Sequence, residues 1–483
     1  MKTIQIQNLK SIKQSPKIEL KDINVFIGKN SCGKSTFLRT FPLFKQSIEK
    51  SINGPILWYG DYVDFGDFKN SLNSNCLDDE TINFTFGIEL RKHFYHKKNL
   101  FAEVSIFLNE KYVEKYVLRF GENKVIRLVR NANDKYDAFV NDTKIANVEF
   151  SPSNRNNLFL LHSQTDKPSY LFSMQDLMID NWISSRNKDS AVDNIYDVLF
   201  DSSLLETIYH EAINSFLSRF KDNFKNEELN QNEFFEKLLS YLLNEIKEAI
   251  YEDFSNVQYI QPIRARADRF YRVQGINIDE VDSDGLNASM ILYSMTPEEA
   301  VEFREFCFKF IGYSYSFKKI GNSNESTSMV VVSKNGDMRN LTDVGFGYSQ
   351  ILPIILSIWK TFFNASKKTA KPYKKHTNKV IVIEQPELHL HPAFQEQIMS
   401  LIIRLTKAIN KAKYINLSFI IETHSEAIVN YLGRQMSENN LTEENLNLYV
   451  LNKIEGNTIF DKMEFTSDGY IKNWPIGFFS FEE

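Results

Sequence analysis

The sequence predicts an α/β fold: one parallel sheet fed by strands from both ends of the chain, with antiparallel β and helical lobes inserted between them. Three observations carry this. Apolar runs of strand length alternate with helix-period segments near the N-terminus and again from residue 257 onward. The run Ile23–Ile27 leads straight into a glycine-bearing loop and then a helix. Residues 82–150 hold short alternating runs with polar turns and no helix between them, the pattern of an antiparallel meander.

In chain order, residues 2–27 read as two short strands, and a helix is expected from about Ser35 to Glu49. The meander offers Phe84–Leu90, Val104–Leu108, Val113–Phe120, Val125–Val129 and Ala138–Val140. From about 170 to 254 the period becomes helical, with Phe234, Leu238, Tyr241, Leu242 and Ile246 on one face and no sustained heptads. Val257–Ile263 reads as a strand, Pro297–Ile311 as a helix and Met329–Val332 as a strand. A glycine turn at 343–348 precedes a helix from about Ser349 to Phe363, and the lysine-rich stretch 367–379 reads as a solvated loop. Then come the strand Val380–Ile383, a helix at 393–412, the strand Leu417–Glu422 and a helix at 425–436.

Composition narrows the function classes. With 42% hydrophobic and 25% charged residues, the 483-residue chain can bury a core without covalent staples. A net charge of -5 argues against a generally basic nucleic-acid-binding surface. Cys32, Cys76 and Cys307 are scattered, without metal-ligand spacing. No apolar run approaches the ~18 residues of a membrane span, and the N-terminus lacks a signal-peptide pattern, so a cytoplasmic protein with no membrane partner is expected.

Gly28-Lys29-Asn30-Ser31-Cys32-Gly33-Lys34-Ser35 fits G-x-x-x-x-G-K-[ST] between an apolar strand and a helix, the context a phosphate loop requires. Backbone N–H groups and the helix N-terminus face the phosphates there, Lys34 reaches the β- and γ-phosphates, and Ser35 coordinates Mg²⁺. The fold class is therefore a P-loop NTPase, and ATP with Mg²⁺ is the expected ligand. Glu384 closes the apolar strand Val380–Ile383 and suits the carboxylate beside the Mg²⁺ water shell, making Ser35 and Glu384 the metal-side pair. Gln385 follows it and can orient water but not accept a proton near neutrality. Glu387 is the next carboxylate and a candidate general base, with a helix-capping role as the alternative. His389 and His391 are too poorly supported by neighbours to suggest zinc. His424, after the strand Leu417–Glu422, suits a switch histidine at the γ-phosphate. Finally, Gly345, Gly347, Ser349 and Gln350 open a helix and form a second phosphate-binding turn, which two copies packed head to tail would share across composite sites.

Together, GKNSCGKST, YIQPIRA at 259–265, LTDVGFGYSQ at 341–350, VIVIEQPELHLHP at 380–392, IIETHSEAIVNYL at 420–432 and NWPIGFF at 473–479 resemble a known group. The chain is similar to the ABC-type AAA ATPases related to the overcoming-lysogenization-defect (OLD) nucleases and to the ATP-binding heads of chromosome-maintenance and DNA-repair proteins. The C-terminal WPIGFF box resembles a bacterial subgroup found in defence-gene neighbourhoods. The resemblance implies an ABC-ATPase-like head divided as 1–66, an inserted lobe 67–256, and 257–483. It implies nucleotide binding by Gly28, Gly33, Lys34, Ser35 and Thr36, signature residues Gly347 and Ser349, Glu384 as the Walker B acid and His424 as the switch. The sequence departs from the group in having no clear Q-loop glutamine around Tyr59–Gly66 and too few residues after His424 for a nuclease domain.

The expected function is an ATPase that forms a dimer or higher homo-oligomer around ATP and regulates a separate effector protein in antiphage defence. The alternatives are a DNA-clamping repair ATPase, using Arg264, Arg266, Arg269, Arg272 and the lysines of 367–379, or a nucleotide-stabilised scaffold with negligible turnover. At most weak, sequence-independent DNA binding is expected.

Overall fold

The computed structural model describes residues 1–50, 52–76, 81–90, 100–121, 124–133, 135–140, 143–148, 150–152, 161–163, 243, 246–272, 278–319, 327–334, 336–369, 377–410, 415–472 and 474. The chain divides into two compact units. The first comprises Met1–Gln5, Ser47–Leu57 and Leu77–Glu252; the second comprises Ile6–Gln46, Trp58–Cys76 and Asp253–Glu483.

The first unit is built on the expected meander. Ile82–Leu90, Leu100–Leu108, Val113–Phe120, Lys124–Arg130, Tyr136–Val140 and Thr143–Val148 pair each with the next, all antiparallel. Ile82, Phe84, Phe86 and Ile88 are buried at every second position, as the two-residue period of a strand demands. Phe84 lies opposite Ile106 and Phe86 opposite Val104, the apolar cross-strand pairs that fix register. Residues 246–255 are helical, with Ile246 and Ile250 buried. Phe234, Leu238, Tyr241 and Leu242 lie outside the described residues.

The second unit holds the parallel sheet. Its order is Val257–Ile260, Thr377–Glu384, Ile415–Glu422, Ile23–Gly28, Leu446–Ile454, Asn457–Met463. All neighbours are parallel except the last two strands. Every residue of Ile23–Gly28 and of Val257–Ile260 is buried, as in a sheet covered on both faces. The covering helices bury regular apolar faces: Ile351, Ile354, Ile355 and Ile358 from Phe346–Thr369, and Ile398, Leu401, Ile402 and Leu405 from Pro392–Asn410. The helix Pro297–Ile311 has the expected bounds because its ends are strongly marked. Thr296 and Glu299 form a reciprocal capping box at its start, and Gly312 stops it at φ 77°.

Several features differ from the sequence reading. The lysine-rich stretch 367–379 is not all loop: residues 367–369 close the helix Phe346–Thr369 and residues 377–379 open the strand Thr377–Glu384, while the strand from Val257 stops at Ile260. The N-terminal region forms four strands, Thr3–Leu9, Ile12–Gln14, Ile18–Glu19 and Ile23–Gly28. The helix after the glycine turn begins at Phe346, so Gly347 and Ser349 sit in its first turn. The hairpin Leu446–Met463 was not expected. Its turn residues Glu455 and Gly456 both have positive φ, 48° and 82°, the geometry of a two-residue hairpin. No helix among the described residues is long and apolar enough to cross a membrane.

Candidate active site

In the second unit the carboxyl ends of three adjacent parallel strands converge. Ile23–Gly28 delivers the phosphate loop, Thr377–Glu384 the acidic turn, and Ile415–Glu422 the segment leading to His424. In an open parallel sheet this edge is where ligands bind. Glu384 and Glu422 are register partners on neighbouring strands, and Glu422 is in turn opposite Phe26.

The phosphate loop is held by its surroundings. A Cβ on Gly28 would run into the Leu451 carbonyl and lie 2.6 Å from Cys32 Sγ. Gly33 has φ +100° and a Cβ there would meet Thr458 Oγ1, so only glycine fits. Thr458 is fixed by the turn between Thr3–Leu9 and Ile12–Gln14: its N–H donates to Ser11 O at 2.7 Å and its hydroxyl to Ser11 Oγ at 2.9 Å. Ser31 adopts φ 61°, so the turn alternates backbone hand as anion-binding nests do. Lys34 is 3% exposed. Its ammonium donates back to Gly28 O at 3.0 Å and Lys29 O at 2.9 Å. A phosphate group could replace those carbonyls as its partner. Cys32 is buried, which raises its thiol pKa against the opposing pull of Lys34.

Two acids face this loop, with different partners. Glu384 takes a bidentate pair from Arg39, Nε to Oε1 and Nη2 to Oε2, both at 2.8 Å. Tyr259 OH adds a third donor at 2.8 Å, and burial together with the Glu384 charge keeps that phenol protonated. The hydroxyl of Ser35 instead donates to Glu422 Oε1, at 3.0 Å. Glu422 Oε1 lies 3.9 Å from the Lys34 ammonium, and burial followed by the Glu384 charge pushes its pKa up to about 7. Sequence reasoning missed Glu422. The available signal was its place at the end of an apolar strand, the same signal that picked out Glu384.

Arg264 organises the acidic turn from beneath. It is 3% exposed and donates through Nη2 to Glu384 O at 3.1 Å and Gln385 O at 3.2 Å. Burial lowers its pKa to about 10. This corrects its suggested place among DNA-phosphate contacts, because a buried guanidinium cannot reach a duplex. Arg269 is paired with Asp343, and Lys379 with Asn256; Lys371, Lys374 and Lys375 lie outside the described residues. Gln385 itself sits at φ 44°, a backbone state costing a non-glycine residue about 1–3 kcal/mol, held by its N–H to Glu422 O at 2.8 Å.

Glu387 and His424 meet. The Glu387 carboxylate accepts from Thr423 Oγ1 at 2.8 Å and from the His424 N–H at 2.7 Å. Burial raises its pKa against those hydrogen bonds. The His424 imidazole is lowered to about 4 by burial and then by Lys34, so it is neutral at ordinary pH. Ser425 caps the next helix through Ile428 N at 3.1 Å.

The signature turn lies in the same unit. Ser349 is buried and donates to Phe346 O at 2.7 Å, while Gln350 is buried with its Nε2 unpartnered among the described residues. The turn sets Phe346 edge-to-face with His389, ring centroids 5.2 Å apart and planes at 75°. Around Tyr59–Gly66, the glutamine that organises the loop comes from elsewhere. Gln46 accepts from Tyr62 N at 3.2 Å and Val63 N at 3.1 Å and donates to Val63 O at 3.2 Å. Of NWPIGFF only Trp474 is among the described residues, packed on the core.

The AAA ATPase domain family matches residues 1–429. The chain belongs to that family. With the phosphate loop between strand and helix and the parallel strand order above, it is an α/β P-loop ATPase. Solved structures to which the chain is distantly similar include these two. The SMC head domain from Thermotoga maritima is 10% identical, covering 96% of this chain and 98% of that one at a TM-score of 0.35. The recombination mediator RecF with ATPrS, of the RecFOR pathway, is 13% identical, covering 95% and 97% at a TM-score of 0.29. No curated protein matches the chain.

Proposed function

We propose that this ATPase closes as a homodimer around ATP and uses binding and slow hydrolysis to gate a separate effector protein in antiphage defence. The observation that carries the nucleotide chemistry is the convergence of Lys34, Ser35, Glu384, Glu422, Glu387 and His424 at one sheet edge. The residues fit a Mg²⁺ ion accompanying the nucleotide: a serine hydroxyl and two buried carboxylates adjoin, and one oxygen of Glu422 has no hydrogen-bond partner among the described residues. Ser35 and Glu384 would hold it, and the chemistry it would supply there is neutralisation of charge on the β- and γ-phosphates.

The chain's own residues then have distinct tasks. Lys34 exchanges its carbonyl partners for phosphate oxygens. Glu387, whose burial favours proton uptake, accepts the proton of the attacking water, and Gln385 orients that water. His424, neutral and hydrogen-bonded through its backbone to Glu387, reports the γ-phosphate to that base. Gly345, Gly347, Ser349 and Gln350 of a second copy complete the site, which makes ATP the adhesive of the dimer. The defence setting and the effector rest on the resemblance of the motifs to the OLD-related group. Lys34→Ala should abolish nucleotide binding, ATP-dependent association and turnover together, measured by equilibrium binding, sedimentation and phosphate release. Retention of wild-type affinity would remove Lys34 from that position.

A further inference from the structure

From the geometry we infer that Arg264 is a positioning residue for hydrolysis: by gathering the Glu384 and Gln385 carbonyls onto one guanidinium nitrogen, it fixes the turn that presents Gln385 and Glu387 to the attacking water. This role deepens the proposed nucleotide site and rests on that reading.

The pleat of an extended strand turns successive carbonyls opposite ways, so one donor cannot hold two in a row. Arg264 Nη2 nevertheless donates to Glu384 O at 3.1 Å and to Gln385 O at 3.2 Å. The backbone allows this because it leaves the strand directly after Glu384. Gln385 stands at φ 44°, a left-handed state that a residue with a side chain keeps only where its surroundings over-determine it. Those surroundings are identifiable. The Gln385 N–H donates to Glu422 O at 2.8 Å, and its carbonyl also accepts from Leu388 N at 3.1 Å, closing the four-residue turn Gln385–Leu388. Glu387 lies inside that turn, which delivers its carboxylate to Thr423 Oγ1 and the His424 N–H. Removing the guanidinium takes the shared donor from two carbonyls and frees Gln385 to leave the left-handed state.

Arg264 is itself set in place beforehand. It lies four residues beyond Val257–Ile260, the strand beside Thr377–Glu384, where Ile260 is opposite Ile383. The backbone on either side of it is tied down: Gln261 N donates to Ser283 O at 2.9 Å and Ala265 N to Asp284 O at 2.8 Å. Its partners are unusual for a buried guanidinium. Arg39 has a two-point pair with a carboxylate. Arg264 has no carboxylate within ion-pair distance among the described residues, and its Nε and Nη1 are buried with no hydrogen-bond partner there. A buried cation with donors to spare costs the fold free energy, so neither packing nor ion pairing accounts for an arginine at this position. Holding the Gln385–Leu388 turn does.

The test uses the full-length chain and compares wild type with Arg264→Met, Arg264→Lys and Arg264→Ala, each corrected to its folded fraction by thermal melting. Methionine keeps an unbranched apolar stem without the donors. ATP affinity is measured by equilibrium binding and turnover by steady-state phosphate release. Arg264→Met should keep ATP affinity and lower kcat by about 10²-fold, the scale for a reacting group misplaced by an ångström. Arg264→Lys should recover part of that loss, because one ammonium can stand in for the one nitrogen that holds both carbonyls. Guanidinium ion at a non-denaturing concentration should raise kcat of Arg264→Ala several-fold at unchanged KM, while sodium chloride of equal ionic strength should not. An arginine that served stability alone would move the melting temperature and produce neither the split between kcat and affinity nor the rescue. Wild-type kcat in folded Arg264→Met, a loss confined to ATP affinity, or no recovery by lysine or by guanidinium would overturn the role. Absence of ATP binding or hydrolysis in the wild type would instead overturn the nucleotide site on which it rests.

Discussion

The phosphate loop and the Gly345–Gln350 segment use the same residue types, glycine and serine at the start of a helix, yet their surroundings are opposite. At Gly28 and Gly33 an added Cβ would collide with Leu451, Cys32 and Thr458, and Lys34 is caged by the carbonyls of its own loop. At Gly345 nothing lies within 4 Å of an added Cβ, and at Gly347 the first neighbour is Leu390 Cδ2 at 3.2 Å. Phe346 between them is 44% exposed. The first turn is shaped by its own chain. The second keeps room that its own fold does not use, which suits approach by a nucleotide held elsewhere.

The largest expected effect tests the chemistry on the phosphate-loop side. Glu387→Gln should leave ATP binding intact, lower steady-state hydrolysis by about 10²–10⁴-fold and accumulate an ATP-bound dimer. Normal turnover would leave Gln385, or a group from the other subunit, as the activating residue. Next come the two kinds of glycine. Gly33→Ala should destabilise the folded protein by about 1–3 kcal/mol, because φ +100° and Thr458 both oppose a side chain, and should impair nucleotide binding. Gly345→Ala should change stability by less than about 0.5 kcal/mol and weaken ATP-dependent association instead. Equal losses of melting temperature in the two variants would erase the contrast between the turns.

A smaller effect follows from pH. In the nucleotide-free protein Glu422 titrates near 7, while its ordinary value is 4.5. The folded state therefore binds the extra proton between about pH 4.5 and 7, and this group's contribution to stability is lost as pH rises through that window. Glu422→Gln should melt at a higher temperature than wild type at pH 7.5, with the gap closing toward pH 5. His424, lowered to about 4 from 6.5, acts in the opposite direction in both proteins and cancels in the difference. A constant gap across pH would contradict the account. Smallest of all, DNA binding should be weak, independent of sequence and abolished by moderate salt, since Arg264 and Arg269 are engaged within the chain. Tight sequence-specific binding in a mobility-shift assay would reverse that.

Much of this fold was legible because its strongest elements carry local signals. Ile23–Gly28 is an uninterrupted apolar run, and Pro297–Ile311 has both a capping box and a glycine stop. The hairpin Leu446–Met463 was less visible: its outer strand, Asn457–Met463, is mostly polar and part-exposed, so the strand period is weak. The phosphate loop was legible as a contiguous motif. Glu422 and Gln46 were not, because their importance comes from partners far along the chain: Ser35 for one, the backbone of Tyr62 and Val63 for the other. Arg264 misled for a related reason. A basic cluster in sequence carries no sign of burial, and this guanidinium faces inward to the acidic turn.

The central claim is that one copy's phosphate loop is completed by another copy's signature turn. Mixing two inactive variants tests it most directly. Lys34→Ala removes the phosphate loop, and Ser349→Arg blocks the turn that opens the helix Phe346–Thr369. Each alone should be inactive. In a head-to-tail heterodimer, however, the intact phosphate loop of one chain faces the intact turn of the other, so one site per heterodimer is whole. Steady-state ATP hydrolysis of an equimolar mixture should rise well above either variant, to about a quarter of the wild-type rate per chain if pairing is random and the sites act independently. A mixture as inactive as its components, with heterodimers demonstrated to form, would contradict a site shared between two copies.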